Sequence, residues 1–289
     1  EKTAELLGRS GGHVREDLQI AEGMRKHPEL RKCRTKKEAL KKLKFKMAEK
    51  ARKKEIKDSP NKPIISSTSF ELWLPRQGQC DLLLTDPPYS TELEDMKGFA
   101  ESWLGLALEK VKSTGRAYIF IGSYPKELYA YLDIWYKQPT LDEMDMIDPG
   151  TIQIYNTDHL ELDDILVWTY RNTLGPSPNH GYKKNWQAIL YFKGNKAPLL
   201  DFPVMTEHFS VQDINAPDGR LGNRYHTWQK PDEIAERFIR HSTKQGDVIF
   251  DPFAGTGTFL LAANRLGRIG IGCEIDKKIL RSWDLLKGS

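Results

Sequence analysis

The chain has 289 residues, 39% of them hydrophobic, with a mean hydropathy of −0.58. This length suffices for one sizeable α/β domain and a smaller accessory one. No apolar run approaches the roughly 18 residues of a membrane span, and no secretory leader opens the sequence, so we expect a cytoplasmic protein. Because the first residue is Glu1 rather than Met, we expect a longer polypeptide.

The cysteines and histidines give no metal-binding pattern. Cys33, Cys80 and Cys273 lie too far apart for a disulfide framework or a CxxC zinc spacing. The seven histidines are scattered and form no HExxH pair. We therefore expect neither a structural nor a catalytic metal.

The charge is unevenly spread. The net charge is +4, but residues 1–57 hold 19 Lys/Arg against 9 Asp/Glu, a net of +10, whereas residues 58–289 hold 25 against 31, a net of −6. A concentration of like charge is typical of a protein that binds a polyanion. The alternative is a solvated, lysine-rich helix that only keeps the protein in solution.

In chain order, residues 3–26 predict a helix, a glycine turn and a second helix. The second helix has an apolar face at Val14, Leu18 and Ala21, which follow the i, i+4, i+7 spacing. Pro28 has no backbone N–H and should end that helix. The arrangement is typical of a helix-turn-helix.

A third, lysine-rich helix is predicted over residues 35–57. Its expected apolar stripe consists of Leu40, Leu43, Met47 and Ala51. Two prolines among turn-forming residues follow at positions 58–63 and have the composition of a linker. We therefore predict a basic, all-α domain over residues 1–57 and a second domain over residues 58–289.

Beyond the linker, apolar runs alternate with amphipathic stretches, which predicts an open α/β sheet with helices on both faces. The predicted strands are Pro63 to Ser66, Asp81 to Thr85, Arg116 to Ile121, Ile165 to Tyr170, Ala188 to Phe192, Val248 to Phe250 and Ile269 to Cys273. The predicted helices are Lys97 to Val111, Pro125 to Trp135, Pro231 to His241, Thr258 to Leu266 and Lys277 to Leu286.

A glycine-rich turn at Asp251–Thr258 (DPFAGTGT) joins a buried strand to a helix, the place where α/β sheets bind ligands. A dinucleotide site would need a glycine at Leu260, and a phosphate-binding loop would need a lysine that is absent. Asp251 instead suits a ligand with an ammonium group, such as S-adenosylmethionine. Glu274 ends the next strand, about 20 residues on, where it can accept hydrogen bonds from ribose hydroxyls.

A second turn, Asp86-Pro87-Pro88-Tyr89, follows another apolar strand. The Asp86 carboxylate and the Pro87 carbonyl can accept the two N–H bonds of an exocyclic base amine and direct its lone pair at a methyl group. Two prolines keep that carbonyl aimed, and Tyr89 offers a face on which an extruded base can stack. Alone, Asp-Pro-Pro is also an ordinary turn.

Together, these motifs make residues 62–289 resemble DNA amino-methyltransferases, in the class whose catalytic motif precedes its cofactor motif. The resemblance implies a Rossmann-like sheet, S-adenosylmethionine as cofactor and double-stranded DNA as partner. It implies that Thr227 and Lys230, in Tyr225–Pro231, lie near the methionine end of the cofactor. The implied cofactor-binding residues are Asp251, Phe253, Ala254, Gly255, Gly257, Thr258, Glu274, Thr227 and Lys230.

Within that family, DPPY is commoner in N6-adenine enzymes, so we expect N6-adenine methylation. N4-cytosine methylation, RNA methylation and an inactive DNA-binding scaffold stay open, as do a restriction partner and the oligomeric state, with a dimer among the alternatives. The strand before the catalytic motif runs into Ser66-Ser67-Thr68, where the family usually has an acid that holds the cofactor's adenine.

Target recognition is expected outside the catalytic core, because only about 30 residues separate Lys193 from His226. The N-terminal helices resemble the DNA-binding part of partition-type ParB proteins, with a helical dimerisation arm as the alternative. The residues expected to contact nucleic acid are Arg15, Arg25, Lys26, Lys183 and Lys184. The last two lie in a loop that could equally be an exposed hairpin.

Overall fold

The computed structural model describes residues 10–58, 62–135, 159–173, 178–218, 224, 226 and 229–282. The chain forms two compact units. One consists of residues 1–57 and 217–229, and the other of residues 58–216 and 230–289. The first predicted helix, from residue 3, lies outside the described residues, as does Thr227.

The described part of the first unit contains the α-helices α1 (Gly11–Lys26) and α2 (Lys36–Asp58). Ser10 precedes α1 and its hydroxyl accepts the backbone N–H of His13 at 3.4 Å, a long N-cap contact. The helix ends before Pro28, as predicted, and a short 3-10 turn over Pro28–Lys32 leads towards α2.

The predicted apolar face of α1 was wrong apart from Val14. Leu18 is 64% exposed and Ala21 is exposed, whereas Val14, Ile20 and Gly23 are buried. The reason is the packing of α1 on α2: a Cβ atom built at Gly23 would lie 2.6 Å from Leu43 Cδ2. Because Gly23 has no side chain, the two helices can approach each other closely there, and the face of α1 that contains Gly23 is buried against α2. A count of apolar residues cannot reveal such a face.

The predicted stripe of α2 was also wrong apart from Leu43. Met47 and Ala51 are exposed, and Leu40 is only partly buried. The buried residues of α2 are Ala39, Leu43, Arg52 and Ile56. Small and mixed side chains, including an arginine, face inwards because contact with α1 at Leu43 sets the rotation of the helix.

The second unit is built on one eight-stranded sheet in the order β1-β8-β7-β2-β3-β5-β4-β6. Neighbouring strands are parallel from β1 to β3, β5 is antiparallel to both β3 and β4, and β6 is parallel to β4. The strands are β1 (Ile64–Ser67), β2 (Cys80–Thr85), β3 (Val111–Ile121), β4 (Leu160–Thr169), β5 (Trp186–Gly194), β6 (Val211–Asp213), β7 (Val248–Asp251) and β8 (Ile269–Glu274).

Helices cover both faces of this sheet, which confirms the predicted fold class. Strand β2 shows the two-sided burial: Leu83 packs with the core on one face, and Leu82 and Leu84 pack with the core on the other. Among its described residues, the helices of this unit are α3 (Phe70–Trp73), α4 (Met96–Leu108), α5 (Pro125–Trp135), α6 (Asp232–Ser242), α7 (Thr258–Arg265) and α8 (Lys277–Ser282). Helices α4 and α5 belong to the first of these cores, and α6 and α7 to the second.

All seven predicted strands are present, with ends shifted by a few residues. Two predictions were wrong. Helix α4 ends at Leu108, and Val111 already begins β3 rather than closing the helix. The edge strand β6 was missed, because its three residues, Val211–Asp213, are held by pairing with β4 and have no apolar run.

Within the described ranges, no helix is long and apolar enough to cross a membrane. No group of three or more His, Cys, Asp or Glu side chains in those ranges could hold a metal ion. All three cysteines are free, with Cys80 and Cys273 buried in the sheet and Cys33 partly exposed.

Candidate active site

The two predicted turns leave the carboxyl ends of neighbouring parallel strands. Strand β2 pairs with β7, with Leu82 opposite Ile249 and Leu83 opposite Phe250. From β7 the chain continues to β8 on one side, and from β2 it continues to β3 on the other. This is the point at which the strand order reverses, where open α/β sheets bind their ligands.

A buried hydrogen bond joins the two strand ends. The Thr85 hydroxyl donates to Asp251 Oδ1 at 2.7 Å, and the backbone N–H of Phe253 donates to the same oxygen at 3.1 Å. Burial raises the pKa of Asp251 to about 7, although both hydrogen bonds act in the opposite direction. Thr85 therefore links the strand that carries the catalytic turn to the carboxylate that opens the glycine-rich turn.

The glycine-rich turn needs glycines for conformational reasons. Gly255 and Gly257 have φ angles of +49° and +74°, in the left-handed region that other residues rarely adopt. The N–H of Gly255 donates to Glu274 Oε2 at 2.8 Å, and the N–H of Asp276 donates to the other oxygen at 2.7 Å. Glu274 thus ties the turn to the end of β8.

This turn fits the adenosyl and amino-acid parts of S-adenosylmethionine. A Cβ atom built on Gly255 would meet only the Phe253 carbonyl oxygen, at 4.0 Å, so the space beside the turn is open. Glu274 is partly exposed and, with four lone-pair sites, can accept ribose hydroxyls in addition to its two amides. Phe253 presents an apolar surface, backed by Phe70 and Trp103 with ring centroids 5.3 and 5.0 Å away.

Two other predicted cofactor residues lie in this turn. Ala254 is buried, and its N–H donates to the Cys273 carbonyl at 3.0 Å. Thr258 begins α7, with its hydroxyl 3.3 Å from that of Thr256. The structure therefore brings together every predicted cofactor residue of the 251–274 region.

The catalytic turn is a compact polar cluster. Tyr89 is 5% exposed, and its hydroxyl donates to Asp86 Oδ1. The Lys230 ammonium donates to Asp86 Oδ2 and lies 2.7 Å from the Tyr89 hydroxyl oxygen. Gln187 Nε2 at the start of β5 donates to the same hydroxyl at 3.2 Å. Lys230 thus contacts the catalytic turn, a position that its motif did not predict.

Sequence reasoning missed a buried acid behind this turn. Glu127 is 1% exposed and lies in the first turn of α5. Its carboxylate accepts the N–H of Ser90 at 2.9 Å and the N–H of Gly122. It therefore fastens the residue after Tyr89 to the end of β3. The only signal in the sequence was an acid just after a strand, which is also the usual composition of a helix start.

The basic residues predicted to contact nucleic acid lie in two places. Lys183 donates to the Thr173 carbonyl at 3.4 Å, and Lys184 donates to the Ser123 carbonyl at 3.0 Å with its ammonium 4.4 Å from the centre of the Tyr124 ring. In the other unit, Arg15, Arg25 and Lys26 are exposed on α1, and Lys26 pairs with Glu22 at 2.6 Å.

The sequence profile of the DNA methylase family named N6_N4_Mtase matches residues 80–284, which include both turns. The chain belongs to the N6/N4 DNA methylase family. It is 26% identical over 231 residues to the type II methyltransferase M.HpaI of Haemophilus parainfluenzae, covering 71% of this chain and 67% of the relative. It is 26% identical over 242 residues to the type II methyltransferase M.HinfI of Haemophilus influenzae, covering 69% of this chain and 60% of the relative. The chain thus spans about two thirds or less of these relatives.

A shorter match has higher identity. Over 56 residues, 19% of this chain and 21% of the relative, the sequence is 50% identical to the type II methyltransferase M2.DpnII of Streptococcus pneumoniae. All three relatives carry the name of type II methyltransferases.

Solved structures confirm the fold of the family. The structure of an M1.HpyAVI–SAM complex aligns with a TM-score of 0.54 at 19% identity, covering 76% of this chain and 98% of that one. The cytosine-N4-specific PvuII DNA methyltransferase aligns with a TM-score of 0.59 at 17% identity, covering 80% of this chain and 92% of that one. Family membership confirms S-adenosylmethionine as the cofactor. The comparisons include an N4-cytosine enzyme, so they leave the base unassigned.

Proposed function

We propose that this chain transfers the methyl group of S-adenosylmethionine to N6 of adenine in double-stranded DNA. The observation that carries the proposal is the placement of Asp86 and Tyr89 at the end of β2, directly beside the cofactor turn at the end of β7. An acceptor for an amine and a pocket for a methyl donor thus lie at one edge of the sheet.

The chain's part in the reaction is to hold and polarise the amine. An exocyclic base amine is a weak nucleophile because its lone pair is delocalised into the ring. Asp86 and the Pro87 carbonyl accept its two N–H groups and favour the pyramidal form, and Pro88 keeps the backbone rigid. Bound S-adenosylmethionine supplies an electrophilic methyl group. A nitrogen–carbon bond would form as the carbon–sulfur bond breaks, the sulfur would keep the bonding electron pair as a neutral thioether, and the amine would pass one proton to solvent by way of the Asp86 carboxylate that accepts its N–H.

In this proposal the protein contacts three parts of the cofactor: the ribose, the adenosyl group and the ammonium group. Glu274 accepts the ribose hydroxyls, Phe253 faces the adenosyl group, and Asp251 accepts the ammonium group. The remaining contacts come from Ala254, Gly255, Gly257, Thr258 and Thr227, with Thr227 assigned by resemblance because it lies outside the described residues.

The DNA is proposed to contact two basic regions, the loop of Lys183 and Lys184 and the lysine-rich residues 1–57. The extruded target base would lie at Tyr89, whose hydroxyl accepts a hydrogen bond from Gln187 at the start of β5. The loop of Lys183 and Lys184 comes directly before that strand. Residues 1–57, with Arg15, Arg25 and Lys26 exposed, are proposed to form a DNA-binding domain that adds phosphate contacts. Residues 58–289 are proposed to be the methyltransferase domain.

N4 of cytosine is the second candidate target. It is favoured by the structural likeness to the cytosine-N4-specific PvuII enzyme. The exocyclic amine of cytosine is also conjugated, so the same acceptors would serve it. Adenine is preferred because Asp86 heads the motif, and by family resemblance N4-cytosine enzymes more often have serine there.

The test is to incubate the purified chain with unmodified double-stranded DNA and S-adenosylmethionine that carries a deuterated methyl group. The DNA is then digested to nucleosides for mass spectrometry. We expect deuterated N6-methyldeoxyadenosine, and none with Asp86→Ala. Labelled N4-methyldeoxycytidine would replace the adenine assignment, and label in added RNA but not in DNA would indicate an RNA enzyme. Tight DNA binding without transfer would indicate an inactive scaffold.

A further inference from the structure

Lys230 is a buried cation at the catalytic turn. Only 4% of its side chain is exposed. Its ammonium contacts Asp86 Oδ2 and lies 2.7 Å from the Tyr89 hydroxyl, and the rings of Tyr89, Phe120 and Trp168 surround it at 5.3 to 5.9 Å. A charge removed from water needs a counter-charge in contact with it, and Asp86 supplies one.

The three polar groups form a closed ring. Tyr89 donates its proton to Asp86 Oδ1, and Lys230 donates to Asp86 Oδ2 and to the Tyr89 oxygen. Both oxygens of Asp86 are therefore held, so the carboxylate plane cannot rotate without breaking one of these bonds. Each oxygen still has a second lone pair, so a base amine can add to the ring without displacing a member.

We propose that Lys230 is a positioning residue for methyl transfer, which pairs with the Asp86 carboxylate and holds it aimed at the amine. The inference rests on the proposed function, since the amine is its target. It differs from the role that resemblance implies for Lys230, a contact to the methionine end of the cofactor. A charged carboxylate accepts an N–H bond more strongly than a neutral acid, so the cation would act on the rate through Asp86.

The surrounding charges make this cation important. Three carboxyl groups lie near the ring: Glu92 in the catalytic loop, Glu127 in α5 and Asp251 at the end of β7. The hydroxyl of a second tyrosine, Tyr131 in α5, is also nearby. In the part of the chain that is described, Lys230 is the one cation paired with Asp86. Burial lowers the pKa of Lys230, and the Asp86 charge opposes that shift. Without Lys230, no cation within the described residues would pair with Asp86.

The test compares Lys230→Met, Lys230→Arg and Lys112→Met with the wild-type chain. Lys112 is a matched control, because it pairs with Asp81 at the other end of β2, away from the catalytic turn. The measurements are kcat and KM for DNA from about pH 5 to about pH 9, the Kd for S-adenosylmethionine by calorimetry, and thermal unfolding.

We expect Lys230→Met to lower kcat by at least about 100-fold, with KM for DNA and the cofactor Kd within about threefold of wild type. Lys230→Arg keeps the charge and should recover most of the lost kcat at every pH, and Lys112→Met should leave all four quantities unchanged within about twofold.

Two results would overturn the inference. A weaker cofactor Kd with normal kcat at saturating cofactor would assign Lys230 to the cofactor. An equal loss at every pH in both Lys230 variants would show a packing role only.

If Lys230→Met does not fold, the double variant Asp86→Asn/Lys230→Met still decides, because it leaves neither charge in the ring. In Asp86→Asn, replacing Lys230 should cost far less stability than in wild type, and additive losses would contradict the pairing. If the wild-type chain methylates no DNA, the proposed function fails, and this coupling cycle alone decides whether Lys230 acts through Asp86.

Discussion

Strand β2 carries an aspartate–lysine pair at each end, and the two pairs differ in their surroundings. At the amino end, Asp81 accepts Lys112 at 2.6 Å and the backbone N–H of Val248 at 2.9 Å, and 39% of the Lys112 side chain is exposed. Past the carboxyl end, Asp86 pairs with Lys230, of which 4% is exposed. Asp81 thus ties β2 to β3 through Lys112 and to β7 through Val248, whereas the Asp86–Lys230 pair lies in the catalytic turn.

The comparison shows that position in the sheet, and not residue type, decides what such a pair can do. An exposed pair is screened by water and contributes about 0 to 1 kcal/mol to stability. A pair in a desolvated site keeps its field and can act on a reacting group. The strand order reverses between β2 and β7, so the chain leaves the carboxyl ends of these two strands towards opposite sides of the sheet. The crevice between the two connections leaves room for ligands.

The largest expected effect is that of Asp86→Ala, set against Asp81→Ala. We expect kcat to fall at least about 1,000-fold in Asp86→Ala, because the amine loses its charged acceptor, while cofactor affinity stays within about twofold. Asp81→Ala should retain most of its activity at a temperature where it is folded. Single-turnover methylation and calorimetry measure both. Similar rates for the two variants would remove the distinction between the ends of the strand.

Asp251 should make cofactor affinity depend on pH. Its pKa is raised to about 7, so its negative charge is complete only above neutrality. If it accepts the cofactor's ammonium, the Kd for S-adenosylmethionine should fall about tenfold as the pH rises from about 6 to about 8. Asp251→Asn should bind weakly at every pH. Calorimetry across this range is the measurement, and an equal pH dependence in the variant would exclude Asp251 as the source.

The same shift predicts how stability varies with pH. An acid whose folded pKa is raised keeps its proton in the folded state after the unfolded chain has lost it. Asp251 therefore makes the free energy of unfolding fall between about pH 4 and about pH 7, by on the order of 4 kcal/mol, with no further loss above pH 7. Denaturant unfolding at several pH values should show a flatter dependence in Asp251→Asn than in wild type.

A smaller effect is expected for Glu127→Gln. The amide oxygen can keep one of the two backbone N–H bonds, from Ser90 or Gly122, but the amide nitrogen cannot accept the other. The catalytic turn would then be less firmly held, and we expect kcat to fall about tenfold with little change in cofactor Kd. If kcat is unchanged while stability falls, Glu127 supports the fold alone.

The smallest effect on activity is expected for Asp81→Asn. This change removes the charge that pairs with Lys112 but keeps an oxygen that can accept the Val248 N–H. The free energy of unfolding should fall by about 1 kcal/mol or less, and kcat should stay within about twofold of wild type. A loss of activity greater than that of Glu127→Gln would show that the amino end of β2 also controls catalysis.

Much of this protein was predictable because it is encoded locally. Apolar runs marked seven strands, and the turns at Asp86–Tyr89 and Asp251–Thr258 could be identified because prolines and glycines impose their backbone geometry wherever they occur. The order of these turns identified the family and the cofactor. The edge strand β6 was missed because pairing with β4, rather than its own three residues, makes it a strand.

The sequence by itself determined the class of chemistry, the cofactor and the sheet. The tertiary structure decided which side chains meet. Thr85 reaches Asp251 and Lys230 reaches Asp86 across 166 and 144 residues of chain, contacts that follow from the strand order and not from any motif. The buried faces of α1 and α2 were likewise set by the contact of Gly23 with Leu43. Local sequence specifies backbone conformation, whereas partners in a buried site are chosen by topology, since desolvated charges and hydrogen-bonding groups must find one another wherever the fold brings them together.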